Sequence, residues 1–272
     1  MRPVLSNAGR PATIEITAIN ENGETVPTPV AGENPLTIYL DNRELVTLMT
    51  LGQSPEALVI GYLRNQRLVA RIDDILAVQV DWETDACAVK TSCPIEDIEA
   101  RTAHRTVTTG CGQGTVFGDL MADIDKPRLP AAARLDEATL YGMLDVVRKH
   151  ETIYKAAGAV HGCALFRGTD LLHFVEDVGR HNAVDAIAGQ MWLDGITGDD
   201  KIFYTTGRLT SEMVIKAAQM GIPFLVSRSG LTQMGYDIAR RAGITMIGRS
   251  QGRHYLLFTG AERFRRAAAS AL

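Results

Sequence analysis

The chain has 272 residues, 46% apolar and 22% charged, proportions of an ordinary globular protein that exclude extensive disorder, collagen-like repeats and coiled coils. Its 28 Lys and Arg against 32 Asp and Glu give a formal net charge of −4, which argues against electrostatic binding of the whole molecule to nucleic acid. Four cysteines, Cys87, Cys93, Cys111 and Cys163, are spread too widely for a disulfide framework. The Met-Arg-Pro start lacks an apolar leader, and no apolar run is long enough to span a membrane, so a cytoplasmic protein is expected.

In chain order, residues 1–13, with Pro3, Gly9 and Pro11, are expected to form a loose tail, and 14–19 alternate like a strand. Residues 36–40 and 45–49 read as a hairpin around Asp41-Asn42-Arg43-Glu44. A helix to about residue 65 follows, with Ser54 as cap and Pro55 in its first position. Residues 75–81 and 87–90 are further strand candidates. The segment 122–133, with Pro127, Pro130 and three alanines, reads as the boundary between a first α/β domain over 14–125 and a second domain over 134–272.

In the second domain Asp136 is expected to cap a helix whose apolar face is Leu140, Met143, Leu144 and Val147. Residues 159–166 and 171–175 read as a hairpin, and Val184, Ile187, Ala188 and Met191 form another helical stripe. From 201 onward the rhythm changes to strand 201–205, helix 211–220, strand 223–226, helix 232–242 and strand 244–247, an α/β alternation with short connections. Residues 255–259 add a last strand before an expected terminal helix.

Each strand of this alternation is followed by a polar loop containing Gly and Arg: Thr206-Gly207-Arg208, Ser227-Arg228-Ser229-Gly230 and Gly248-Arg249-Ser250. Open α/β sheets bind ligands beyond the carboxyl ends of their strands, where loop amides, hydroxyls and guanidinium forks suit phosphate oxygens. A single such loop is ordinary turn chemistry with a solvated arginine. Three in succession, extended by Arg253 and His254, favour a phosphorylated ligand. The run Glu176 to Asn182 also follows a strand and precedes a helix, and there Arg180 and His181 can reach a ligand or pair with Glu176.

Cys111 differs from the other thiols. It lies among Gly110, Gly112 and Gly114, with His104 and Arg105 shortly before, whereas Cys163 sits in an apolar run. A nucleophilic thiol needs exposure and groups that stabilise the thiolate, which a glycine loop supplies through its amides. No metal site is expected, since Cys87 and Cys93 have no C-x-x-C partner and His161-Gly162-Cys163 is only a fragment of a zinc pattern.

The stretches EDVGRHNAVD (176–185), TGRLTSEMVIK (206–216), IPFLVSRSGLT (222–232) and ITMIG (244–248), together with the Gly110 loop, resemble the formate dehydrogenase accessory sulfurtransferase family, FdhD/NarQ. The resemblance implies a cytidine-deaminase-like three-layer C-terminal domain beside a smaller α/β N-terminal domain, assembled as a homodimer. It also implies sulfurtransferase activity. A cysteine desulfurase loads a persulfide onto Cys111, and the sulfur passes to the molybdenum bis(molybdopterin guanine dinucleotide) cofactor of the formate dehydrogenase catalytic subunit, bound as substrate. The family's cofactor-binding segment falls on Arg249, Ser250, Gln251, Gly252, Arg253 and His254, which joins Gly207, Arg208, Arg228, Ser229, Arg180 and His181 as the expected binding set. Two positions depart from the family pattern. Gly114 stands where the loop C-G-x-C-G has its second cysteine, and Ala186 stands where lysine is common.

Two other readings remain at this point. A binding module could hold the guanine-dinucleotide cofactor without covalent sulfur chemistry. Nucleobase deamination would need a zinc site with H-x-E and P-C-x-x-C, and neither pattern occurs in the chain.

Overall fold

The computed structural model describes residues 2–93, 129–150 and 152–267; Cys111, its glycine loop and most of the segment 122–133 lie outside the described residues. The chain opens with β1 (Val4–Leu5), β2 (Thr13–Ile19), β3 (Thr25–Ala31), β4 (Asn34–Leu40) and β5 (Arg43–Thr50), followed by helix α1 (Pro55–Asn65) and the strands β6 (Ile75–Asp81) and β7 (Ala86–Thr91). Among the described residues these build a five-stranded sheet in the order β1-β6-β7-β4-β5, with β2 and β3 as a separate antiparallel ribbon. The β4–β5 hairpin turns at Asp41 and Asn42, both in the left-handed region at φ 45° and 71°, as a tight turn matched to strand twist requires. Leu36, Ile38 and Leu40 alternate into the core, which fixes the register of β4.

The second half contains β8 (Leu135–Asp136), α2 (Glu137–His150), α3 (Ile153–Ala157), β9 (His161–Arg167), β10 (Asp170–Asp177), α4 (Arg180–Leu193), β11 (Lys201–Thr205), α5 (Ser211–Gln219), β12 (Phe224–Ser227), α6 (Gln233–Ala242), β13 (Thr245–Gln251), β14 (His254–Thr259) and β15 (Phe264–Arg265). Among the described residues six of these strands form one sheet, in the order β10-β9-β11-β12-β13-β14, with β11, β12 and β13 parallel. Alternation along the strands divides the packing. Ala164, Phe166, Ile202, Tyr204, Phe224 and Val226 face the apolar stripe Leu140, Met143, Leu144 and Val147 of α2. Cys163, Leu165, Phe203, Leu225 and Met246 face α4, α5 and α6. The result is helix, sheet and helix in three layers, a mixed α/β architecture as expected.

The two sheets share one core through the crossing of α1 and α4. A Cβ on Gly61 would lie 1.6 Å from the Asp185 carbonyl oxygen, and one on Gly189 would lie 1.9 Å from that of Ala57, so only glycine permits this approach. The crossing also buries Arg64, which donates to the Ala188 carbonyl at 2.8 Å and lies 5.1 Å from the Trp192 ring centroid. Burial lowers its pKa to about 10. No helix among the described residues is long and apolar enough to cross a membrane.

Three sequence expectations are corrected, and one strand has no counterpart in the sequence reading. Residues 1–13 do not form a loose tail throughout: Val4 and Leu5 pair in parallel with β6, and the Glu56 carboxylate accepts from the Ser6 hydroxyl at 2.6 Å and the Ala8 amide at 2.7 Å. Strand β3 contains Pro27 and Pro29, which conceal a strand in sequence, and an exposed ribbon tolerates their missing donors. Asp136 does not cap α2; it ends β8 and pairs with Arg265 at 2.7 Å. In place of a terminal helix, residues up to 267 contain a single 3-10 turn and β15, which pairs with β8.

Candidate functional site

The loops leaving β11 and β12 are bonded to one another before any ligand is considered. The Gly207 amide donates to Thr205 Oγ1 at 3.1 Å, Ser227 Oγ donates to the Gly207 carbonyl at 2.6 Å, and Ser229 Oγ donates to the Thr206 carbonyl at 2.8 Å. The Arg228 amide donates to the Thr205 carbonyl at 3.1 Å, and the Arg249 amide to the Ser229 carbonyl at 2.9 Å. These bonds fix the backbones of Arg208, Arg228 and Arg249, so the ordering cost of presenting the three side chains falls on the side chains alone.

Three arginines converge on His161, the first residue of β9. Burial lowers its pKa, and the guanidiniums of Arg180, Arg228 and Arg208 lower it further. The imidazole is therefore neutral at pH 7 among cations, and the cluster is strongly positive. Gly207 lets the Arg180 side chain pass, since a Cβ there would meet Arg180 Cδ at 2.8 Å. Arg228 lies 5.0 Å from the Tyr154 ring centroid, a cation–π contact that orients its guanidinium plane. Such an arrangement suits a diphosphate or another polyanion at the carboxyl ends of the strands.

The carboxylates of the 176–182 run serve the scaffold. Glu176 accepts from the amides of Thr152, Ile153 and Tyr154 at 3.1, 2.9 and 2.9 Å, closing the start of α3 and thereby placing Tyr154. Asp177 accepts from Thr50 Oγ1, the Leu51 amide, the Gly179 amide and Asn182 Nδ2. Burial pushes its carboxyl above the ordinary range, and those hydrogen bonds pull it back.

His181 corrects a sequence expectation, for it does not reach toward a ligand. It is 1% exposed, and its Nε2 lies 3.5 Å from Glu212 because the first turn of α4 is enclosed between the two sheets. Burial lowers its pKa to about 3. Behind it Lys216 bonds Asp185 at 2.8 Å and lies 3.4 Å from Glu212, and Asn65 of α1 donates to Asp185 at 2.7 Å. Burial works against the Lys216 charge, but the two carboxylates outweigh it and raise its pKa. A buried polar chain thus runs from His181 to Asn65 at the end of α1.

The third arginine loop is a correction as well. Strand β13 continues through Arg249 and Ser250 to Gln251, and an antiparallel turn at Gly252 and Arg253 leads to His254 in β14. Arg249 sits at an irregularity of that ladder with φ 52°, and its side chain is exposed. Ser250, Gln251 and Gly252 share a small cavity with Arg228, whereas Arg253 lies over the Tyr141 ring at 4.6 Å from the centroid. His254 is exposed on the hairpin. Sequence reasoning missed His161 and Tyr154. The signal for His161 is tertiary: the pairing of Thr205 with Cys163 brings the start of β9 beside the 206–208 loop.

Among the described cysteines, burial raises the thiols of Cys87 and Cys163 to about 12, so neither is a nucleophile near neutral pH, and Cys93 is exposed. No group of three or more His, Cys, Asp or Glu among the described residues is placed to hold a metal ion.

The sulfur carrier protein FdhD of Listeria innocua is 28% identical over 242 residues, 88% of this chain and 93% of that protein. The protein of the same name from Bacillus subtilis is 30% identical over 236 residues, 86% of this chain and 89% of its own. A crystal structure described as that of a formate dehydrogenase accessory protein from Desulfotalea psychrophila matches with a TM-score of 0.74 and 26% identity, covering 93% of this chain and 100% of that one. A sequence model of the FdhD/NarQ family matches residues 31–265, and with motifs, fold and relatives in agreement the chain belongs to the FdhD/NarQ family.

Proposed function

We propose that this chain is a cytoplasmic, homodimeric sulfurtransferase that accepts sulfur on Cys111 from a cysteine desulfurase and delivers it to the molybdenum bis(molybdopterin guanine dinucleotide) cofactor of a formate dehydrogenase. The observation that carries the reading is the convergence of Arg180, Arg208 and Arg228 on a neutral His161, in a family whose relatives are named sulfur carriers. Guanidinium forks on preset loops suit the diphosphates of a dinucleotide cofactor and leave the sulfur chemistry to a separate residue.

In the loading step the Cys111 thiolate attacks the outer sulfur of the desulfurase persulfide. The S–S bond breaks, its electron pair leaves with the desulfurase cysteine as thiolate, and Cys111 carries the persulfide with no net redox change. Release of that sulfur as sulfide consumes two electrons. With Gly114 at the second loop position, two equivalents of an external thiol supply them and become a disulfide.

The test is restoration of formate dehydrogenase activity in cells lacking their own family member. The wild-type chain should restore it, and Cys111→Ala, produced in equal amount, should not. Restoration by Cys111→Ala would favour a cofactor-binding module without covalent sulfur chemistry.

A further inference from the structure

Between α2 and the ends of β11, β12 and β13 lies a cavity of about 100 Å³ whose walls include Leu144 and Arg148 of α2, Tyr204, Arg228, Ser250 and Gly252. Helix α2 carries none of the motifs read from sequence, yet its Arg148 lines the same cavity as Arg228. Arg148 also pairs with Asp145 at 3.5 Å, but both side chains are largely exposed and such a pair yields readily to a stronger partner.

Ser250 supplies an independent observation. Its side chain is 1% exposed, and its hydroxyl has no hydrogen-bond partner among the described residues. Buried polar groups are normally satisfied, and an orphaned one at a cavity wall calls for an explanation. The lining limits the choice of ligand: two arginines and a hydroxyl are donors that suit an oxyanion.

We infer that this cavity is an oxyanion subsite for one phosphoryl group, with Arg148, Arg228 and Ser250 as donors and Arg228 shared with the cluster around His161. The inference deepens the proposed function and rests on its cofactor-binding half. Phosphoryl groups on either side of Arg228 would let the chain grip a dinucleotide at two points, with Arg148 acting as a specificity residue for the second.

Calorimetry on the full chain, with inorganic phosphate and guanosine diphosphate as probes, tests it. Arg148→Ala should weaken both by about tenfold, the loss expected for one charge-assisted hydrogen bond. Arg167→Ala removes the same charge from an exposed pair with Asp200 and should change neither affinity. Ser250→Ala should weaken phosphate binding while leaving the thermal midpoint equal or higher, because it removes an orphaned hydroxyl; a purely structural serine would lower the midpoint. The two probes should compete. Independent binding of the probes, wild-type affinity in Arg148→Ala, or equal losses in Arg148→Ala and Arg167→Ala would each overturn the assignment. Loading of Cys111, followed by mass spectrometry in the same variants, reads the sulfur-carrying half separately, so failure of one is distinguishable from failure of the other.

Discussion

The Asp177 carboxylate accepts a 2.6 Å hydrogen bond from the Thr50 hydroxyl, a partner 127 residues earlier in the chain. Its other oxygen holds the Gly179 amide and the Asn182 side chain at 2.9 Å each, so the turn that delivers Arg180 is anchored to the end of β5. Thr50→Val should cost about 1.5–3 kcal/mol, the range for a hydrogen bond to a charged group. Asp177→Ala should cost more, because it strands several buried donors at once. Urea denaturation measures both, and nucleotide affinity should fall with them as Arg180 loses its anchor.

The α1/α4 crossing makes a second prediction. Gly61→Ala places a methyl group 1.6 Å from a backbone oxygen, which no rotamer change relieves. The helices must separate, weakening the Asn65–Asp185 and Arg64–Ala188 bonds. The loss should reach or exceed the upper end of the roughly 1–3 kcal/mol typical of overpacking, read as a lowered thermal midpoint.

Sequence reading succeeded where local chemistry dictates structure. Strands β11, β12 and β13 and helix α6 were legible from their alternation with short polar connections; in the structure Thr232 caps α6 by accepting from the Gly235 amide, and Gly243 ends it at φ 68°. It failed where a neighbour decides. Pro27 and Pro29 hide β3, whose ribbon partner is invisible locally, and Val4–Leu5 becomes a strand only because β6 offers an edge. The Arg249 segment looked like the two loops before it, but β14 returns antiparallel and extends β13 through it. His161 was overlooked as a site residue because strand order, rather than spacing, brings it to the arginines.

His181 predicts a pH dependence. Its pKa falls from 6.5 to about 3 on folding, mainly through burial, so between those values the unfolded chain binds more protons than the folded one. Stability should therefore fall as pH is lowered below about 6.5, with this residue contributing at most about 1.4 kcal/mol per pH unit. It should make no contribution to the slope above that range. Denaturation midpoints from pH 7.5 to 4.5 should lose this part of their slope in His181→Gln.

Arg249 trades stability for position. A non-glycine residue at φ 52° is strained, and Arg249→Gly should gain about 0.5–1 kcal/mol after allowing for the added chain entropy of glycine. The same change removes an exposed guanidinium, so guanosine diphosphate should bind more weakly to the more stable protein. Paired unfolding and calorimetric measurements read the two effects.

Sulfur carriage itself is tested most directly by intact-protein and peptide mass spectrometry after incubation with a cysteine desulfurase and cysteine. The account predicts one added sulfur atom, located on Cys111, stable after the cysteine is removed until an external thiol is supplied, and absent from Cys111→Ala. An adduct on Cys87, Cys93 or Cys163 that persists in Cys111→Ala, or no adduct on the wild-type chain beside an active desulfurase, would contradict it.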